Sequence, residues 1–309
     1  MIESLLHAPL QRTFHPLGFA LRIETNSGAV LDAAAEEWEA WARGHDASPI
    51  VIRIEVRPGN PQRPCPPRFH ADGHVFTVAS DSENSAHADT RAQTASAILT
   101  ESAVADRAWF QYHFLDALAF QLITSAHLTP IHAACIARNG EATLLAGNSH
   151  AGKSSTAYAS ARRGWTYVSD DSSPLLRRCA AERLVLGAPH YVRLRPDAPA
   201  LFPELAAHRP VMRGNGKMVL QIPTELLGLS TSLTGRVRRF ILLNRREGPA
   251  RLTPVDPSLV REHCSQHFYR WDPPIAAEQR AAFDTMLKGV ETLALEYSDL
   301  DGAIDLLER

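Results

Sequence analysis

Eight consecutive residues in the middle of the chain have the types and spacing to hold a chain of phosphates. Gly147, Asn148, Ser149, His150, Ala151, Gly152, Lys153 and Ser154 satisfy GxxxxGK(S/T) in full, and Ser155 follows directly. Glycine at 147 and 152 permits backbone conformations closed to residues with a Cβ, so that successive N–H groups can surround phosphate oxygens. Lys153 offers a mobile point charge to the β- and γ-phosphates, and Ser154 a hydroxyl to Mg²⁺. The segment Gly147 to Ser155 is therefore expected to bind the β- and γ-phosphates of a nucleotide together with Mg²⁺.

Such a loop works between a strand that delivers it and a helix that begins on its last residues. Ala133 to Arg138 reads as a strand, Asn139-Gly140 as a tight turn, and Ala142 to Ala146 as a short apolar strand leading into the loop. Ser155 to Arg163 suits a helix, with Gly164 placed to end it. Trp165 to Ser169 then forms an apolar-biased strand running into Asp170 and Asp171. A carboxylate at the end of a strand beside such a loop is where the metal-holding group of a nucleoside triphosphatase belongs. A second, adjacent carboxylate can accept a proton from an attacking hydroxyl, which a nucleotide switch does not need. Without the loop, Asp-Asp-Ser-Ser-Pro would read as a turn with a helix cap.

The order of His132, a hairpin, GNSHAGKSS, a helix, a Gly-aromatic turn and VSDD is similar to the kinase core of HPr kinase/phosphorylase and its relatives, including serine kinases that tailor lasso peptides. The close match covers residues 131 to 195. The resemblance implies an α/β fold with a mixed-sheet, HPr-kinase-like core and an ATP-dependent kinase acting on a hydroxyl, a serine of a peptide or small protein above all. It also implies that Lys153 and Ser154 bind phosphate and Mg²⁺ and that Asp170 and Asp171 divide metal contact and general base between them. Asp170 closes the apolar run as metal carboxylates do, so it is assigned to Mg²⁺ and Asp171 to the base, the exchanged assignment being the alternative. His132 is placed near the transferred phosphate, or else is a core histidine on a buried strand. Ser155 stands where the bifunctional enzymes have an acidic residue, and their glutamate-bearing signature has no counterpart in GAPHYVRLRPD. The expectation is therefore phosphorylation without phosphorolysis, on an acceptor other than HPr.

Other elements must carry this core. Phe19, Leu21 and Ile23 alternate with polar neighbours as in a strand, and a helix capped by Asp32 should follow, with Leu31, Ala35, Trp38 and Trp41 on its buried face and Gly44 at its end. Ile50 to Val56 alternates again, the proline-rich stretch 58–67 reads as loop, and Asp72-Gly73 signals a hairpin between Arg68 to Ala71 and His74 to Ala79. Ser80 to Ala95 reads as surface structure or another turn. Val104 to Ala126 reads as one long amphipathic helix carrying Phe110, Phe114, Leu118 and Leu122, stopped by Pro130. These signals divide the chain into a small N-terminal α+β domain over 1–100, a candidate for substrate recognition, and a kinase domain over 101–309. Arg236 to Leu243 is expected as a strand and Glu278 to Leu295 as the terminal helix. Arg193, Arg195, Arg213 and Lys217 are candidates for neutralising phosphate or holding the acceptor. His263 and His267 lie one helical turn apart but lack the HExxH order and a third ligand, so no metal is expected there.

Composition narrows the class. The chain of 309 residues is 45% hydrophobic and 21% charged, enough apolar material for a large core. Its 32 Lys and Arg against 34 Asp and Glu give a formal charge of −2, with no basic excess for nucleic acid. The four cysteines form no CxxC pair, which fits neither a disulfide scaffold nor a zinc ribbon, and no apolar run approaches the roughly 20 residues that span a bilayer. A cytoplasmic enzyme is expected, without nucleic-acid or membrane partners and with homo-oligomerisation left open. The competing readings are a small-molecule alcohol kinase and a nucleotide-regulated binding protein with little catalysis; no NKxD follows the loop to favour a GTPase switch.

Overall fold

The computed structural model describes residues 8–60 and 65–309, so four residues of the proline-rich stretch and the first seven of the chain lie outside the described residues. The chain separates into two compact units. The first runs to Ala126 and takes in Met212–Lys217 and Trp271–Pro273; the second comprises His127–Val211, Met218–Arg270 and Pro274–Arg309.

The first unit is built on a mixed seven-stranded sheet in the order β1-β2-β3-β7-β6-β5-β4. Its strands are Leu10–Phe14 (β1), Leu21–Thr25 (β2), Ile50–Arg57 (β3), Arg68–Asp72 (β4), Val75–Ala79 (β5), Ser85–Asp89 (β6) and Thr94–Thr100 (β7). The alternation at 21–25 and 50–56 is realised, with Leu21, Ile23, Ile52 and Ile54 buried, and the Asp72-Gly73 hairpin joins β4 to β5. Helix α1, Gly28–Trp38, starts one turn before Asp32, with Ser27 at the cap. Its buried stripe is accordingly Val30, Ala33, Ala34 and Trp38 rather than the face that includes Leu31 and Ala35, and Trp41 lies beyond its end. The polar stretch after Ser80 conceals β6 and the start of β7. Alanines at 86, 88, 95 and 97 fill the inward positions there, too small to give a strong hydrophobic alternation.

The expected helix from Val104 to Ala126 is present in pieces: Glu101–Ala105 (α2), Arg107–Phe110 (α3), a wide turn over Gln111–Asp116, and Ala117–His127 (α4). The break falls at Asp106, whose own side chain caps α3 by accepting from the Trp109 N–H at 3.4 Å. Phe110, Phe114, Leu118 and Leu122 are all fully buried, so the stripe is as read. It belongs to the first unit, and the division expected near residue 100 falls after Ala126 instead.

The second unit carries a nine-stranded mixed sheet. Leu128–Thr129 (β8), Ala133–Arg138 (β9), Glu141–Ala146 (β10), Thr166–Ser169 (β11), Leu175–Leu176 (β12) and Leu184–Leu186 (β13) precede a small antiparallel pair, Tyr191–Leu194 (β14) and Met218–Pro223 (β16), with Val211–Met212 (β15) between them in sequence. Thr234–Arg245 (β17), Arg251–Pro254 (β18) and Glu291–Tyr297 (β19) complete the set. The core order is β11-β9-β10-β17, with β9 antiparallel to both neighbours and β17 parallel to β10. β17 also pairs in parallel with β19 and antiparallel with β13.

The helices of this unit are Lys153–Arg162 (α5), Pro257–Ser265 (α6), Pro273–Leu287 (α7) and Leu300–Leu307 (α8). Alternate residues of the central strands feed two cores. Ala134, Ile136 and Leu145 pack with Tyr158 of α5 and Ile304 of α8. Ala133, Cys135 and Leu144 pack with Cys264 of α6 and Phe283 of α7. Burying each large aliphatic or aromatic side chain in such layers stabilises by about 1.5–3 kcal/mol, which holds the sheet that delivers the loop. The single terminal helix expected over Glu278 to Leu295 is instead α7 followed by β19. Gly289 ends the helical run, and Leu293, Leu295 and Tyr297 then alternate into the core with the period of a strand.

Candidate functional site

The hairpin of β9 and β10 turns at Asn139 and Gly140, both at positive φ (54° and 80°), the geometry of a type I′ turn. Ala133 pairs with Ala146 in its register, so the next residues outward are His132 on one strand and Gly147 on the other. The loop then reverses direction through Gly147 (φ 155°), His150 (φ 70°) and Gly152 (φ 93°). A Cβ on Gly147 would lie 2.8 Å from the Leu243 carbonyl oxygen, and one on Gly152 only 2.1 Å from the Tyr297 hydroxyl. Gly147 is buried, whereas Asn148, Ser149 and His150 are exposed, and the Arg195 guanidinium donates to His150 Nδ1.

Helix α5 begins at Lys153, with Gly152 at its cap and no side chain satisfying the first-turn amides. Those N–H groups and the helix dipole together favour an anion at this end. Lys153 is buried, and its Nζ donates to the Gly147 carbonyl at 2.9 Å, folding back across the loop. Burial lowers its pKa, against an opposing pull from Asp171. Ser154 Oγ donates to the Asp170 main-chain carbonyl at 3.3 Å, and Ser155 is half-buried beside it.

The two adjacent aspartates occupy unlike surroundings. Asp170 is buried at 5% exposure, with the Arg193 backbone N–H donating to its Oδ2 at 2.9 Å. Desolvation pushes its pKa up to about 6, against an opposing pull from Arg193. Asp171 is exposed, and its Oδ1 lies 3.4 Å from His132 Nδ1. Ser173 ties the two segments together: its N–H donates to the Ile131 carbonyl at 3.0 Å and its hydroxyl to the Ala133 carbonyl at 2.9 Å, one residue on either side of His132. His132 is half-buried rather than a core histidine. Burial lowers its pKa, Asp171 pulls it up and Lys153 pushes it down.

All the residues singled out from the motif thus converge at the carboxyl end of β10, and a buried carboxylate at Asp170, desolvated and beside the Ser154 segment, fits a divalent cation. Among the basic candidates, Arg193 and Arg195 meet the site through Asp170 and His150. Arg213 and Lys217 belong to the first unit, where the Arg213 N–H donates to the Lys217 carbonyl and its guanidinium lies over Tyr112.

Three residues join the site that the sequence did not assign to it. Tyr297 reaches the loop from β19. His267 packs its ring 5.4 Å from that of His132, and Lys153 and His132 both push the pKa of His263 down, after burial. The pair at 263 and 267 was visible as an i, i+4 spacing on a helix, but nothing local marks its proximity to His132. Among the described residues no group of three or more His, Cys, Asp or Glu is arranged to hold a metal ion, and no helix is long and apolar enough to cross a membrane.

No protein-family model matches the chain, and no curated protein matches it. Among solved structures it is similar to the Hpr(Ser) kinase/phosphatase from Coxiella burnetii, with 14% sequence identity and a TM-score of 0.29 over 58% of this chain and 86% of that one. The likeness is weak and partial.

Proposed function

We propose that the chain is an ATP-dependent kinase that transfers the γ-phosphoryl group to a hydroxyl, foremost a serine of a peptide or small protein. The observation that carries this reading is the unlike surroundings of Asp170 and Asp171, one buried beside Ser154, the other exposed beside His132 and Lys153.

Lys153, the first amides of α5 and the backbone of 147–152 would hold the phosphates, and Ser154 and Asp170 the Mg²⁺. When bound, Mg-ATP supplies the phosphoryl group and a positive charge against its leaving oxygen. Lys153 has three N–H donors, of which one is on the Gly147 carbonyl, so the others can meet a phosphate oxygen and form an ion pair as well as a hydrogen bond. Asp171 accepts the proton of the incoming hydroxyl, and its exposure leaves it open to an acceptor arriving from solvent. His132 packs between Asp171 and His267, and in its neutral form leaves the Asp171 carboxylate free for that proton. A protein that only senses nucleotide has use for Asp170 but none for Asp171.

Radiolabelled ATP with panels of serine peptides and small alcohols tests the reading. Asp171→Asn is expected to keep Mg-ATP binding while losing transfer by about 10² to 10⁴. Asp170→Asn is expected to weaken Mg²⁺-dependent binding itself. Transfer that survives in both variants refutes the mechanism.

A further inference from the structure

Tyr297 closes β19, which pairs with β17, itself the parallel neighbour of the strand that delivers the loop. Its side chain is buried at 3% exposure, and its hydroxyl donates to the Ala151 carbonyl at 2.6 Å. The same oxygen stands 3.5 Å from Thr156 Oγ1 in the first turn of α5. It also fills the space that any side chain at Gly152 would need. At the other end of the loop the Leu243 carbonyl, on β17, does the same for Gly147. The loop is thus wedged between the ends of two strands that come from far along the chain.

One peptide plane links these contacts. In a trans peptide the C=O and the following N–H point in opposite directions, so a carbonyl of Ala151 fixed on Tyr297 turns the Gly152 N–H away from β19. Glycine at 152 could otherwise let that plane rotate, since it has no Cβ to resist. The Tyr297 hydroxyl removes that freedom without adding bulk to the loop.

We propose that Tyr297 is a positioning residue for nucleotide binding, its hydroxyl fixing the Ala151–Gly152 peptide so that the Gly152 amide faces the phosphates. The inference rests on the reading of 147–154 as a nucleotide site and adds to it a residue that lies outside the motif. Removing the hydroxyl leaves a buried carbonyl without its partner and lets the peptide turn, at a cost in affinity typical of one lost buried hydrogen bond.

The test is calorimetric titration of the full chain with Mg-ADP, alongside thermal unfolding of the same samples. Tyr297→Phe, which keeps the ring and its packing, is expected to weaken Mg-ADP binding roughly five- to tenfold. Thr156→Val, which touches the same hydroxyl but leaves its bond to Ala151, is expected to bind as the wild type does. A Tyr297→Phe protein that unfolds at lower temperature yet binds Mg-ADP unchanged at 15 °C below its midpoint, roughly, overturns the inference and leaves a structural tyrosine. Equal losses in Thr156→Val overturn it too, because the bond to Ala151 would not be the cause. A wild type that fails to bind Mg-ADP overturns the nucleotide reading itself, and is told apart from the other outcomes by needing no variant.

Discussion

Replacing Asp170 by asparagine sets stability and function against each other, and the size of the effect follows from its burial. The carboxyl is fully enclosed and its pKa rises from 3.8 to about 6, chiefly by desolvation. At about 1.4 kcal/mol per unit, keeping it ionised in the fold costs about 3 kcal/mol. Because the folded pKa is raised, the favourable term is complete below the unfolded value and is lost as pH climbs through about 6. At pH 8, without Mg²⁺ or nucleotide, the wild type therefore bears the whole cost. Asparagine is neutral and retains an oxygen for the Arg193 N–H, so Asp170→Asn should be more stable at pH 8 by up to about 3 kcal/mol. Roughly half of that advantage should remain at pH 5 and little at pH 4. Urea unfolding in EDTA, followed by circular dichroism at several pH values, measures it. An asparagine variant less stable than the wild type at pH 8, or an advantage that does not shrink toward acid, would refute the reasoning.

Further outcomes follow from the same geometry. Lys153→Ala removes the buried ammonium that spans the loop to Gly147, and should abolish Mg-ATP binding in calorimetry while circular dichroism stays unchanged. His132, whose pKa is lowered by burial, should be neutral at pH 7; as pH falls through that lowered value its imidazolium pairs with Asp171 and withdraws the base. An acid limb in the pH profile of transfer is expected, and His132→Gln should move it; a limb that stays in place speaks against the coupling. Burial pushes the Cys264 thiol up to about 12 and raises that of Cys135 as well, whereas Cys65 is exposed. Native alkylation read by mass spectrometry should label Cys65 and spare Cys135 and Cys264, a protection lost only if the core that holds those two opens.

The part of the fold that could be read from the sequence is the part written locally. The run from Ala133 to Ser169 carries its own turn, its own glycines and its own strand periodicity, so β9, β10, α5 and β11 fall within a residue or two of where the pattern puts them. Helix α1 shows the limit: taking Asp32 as the cap shifts the start by one turn, and the buried face moves from Leu31 and Ala35 to Val30, Ala33 and Ala34. In β6 and β7 the inward residues are largely alanines, whose weak signal is lost among Ser, Asp and Thr. Gly289 was the mark between α7 and β19, but the apolar residues on both sides continue an amphipathic pattern well enough to mask it. Tyr297, His263 and His267 reach the site through pairings across more than a hundred residues, for which no short pattern exists.

The two-residue turn at Asn139 and Gly140 also has a kinetic meaning. A hairpin of this size closes in microseconds, because its ends are separated by so little chain. His132 and Gly147 are thus brought side by side by contacts that need nothing beyond residues 132–147, whereas Asp170 follows after a helix and Tyr297 only when β19 docks against β17. Assembly of the site is ordered by the entropy of loop closure, near contacts before far ones. A ribosome releasing this chain would therefore expose both residues of the first wall, free to pair transiently, long before the strand that wedges the loop shut has been synthesised.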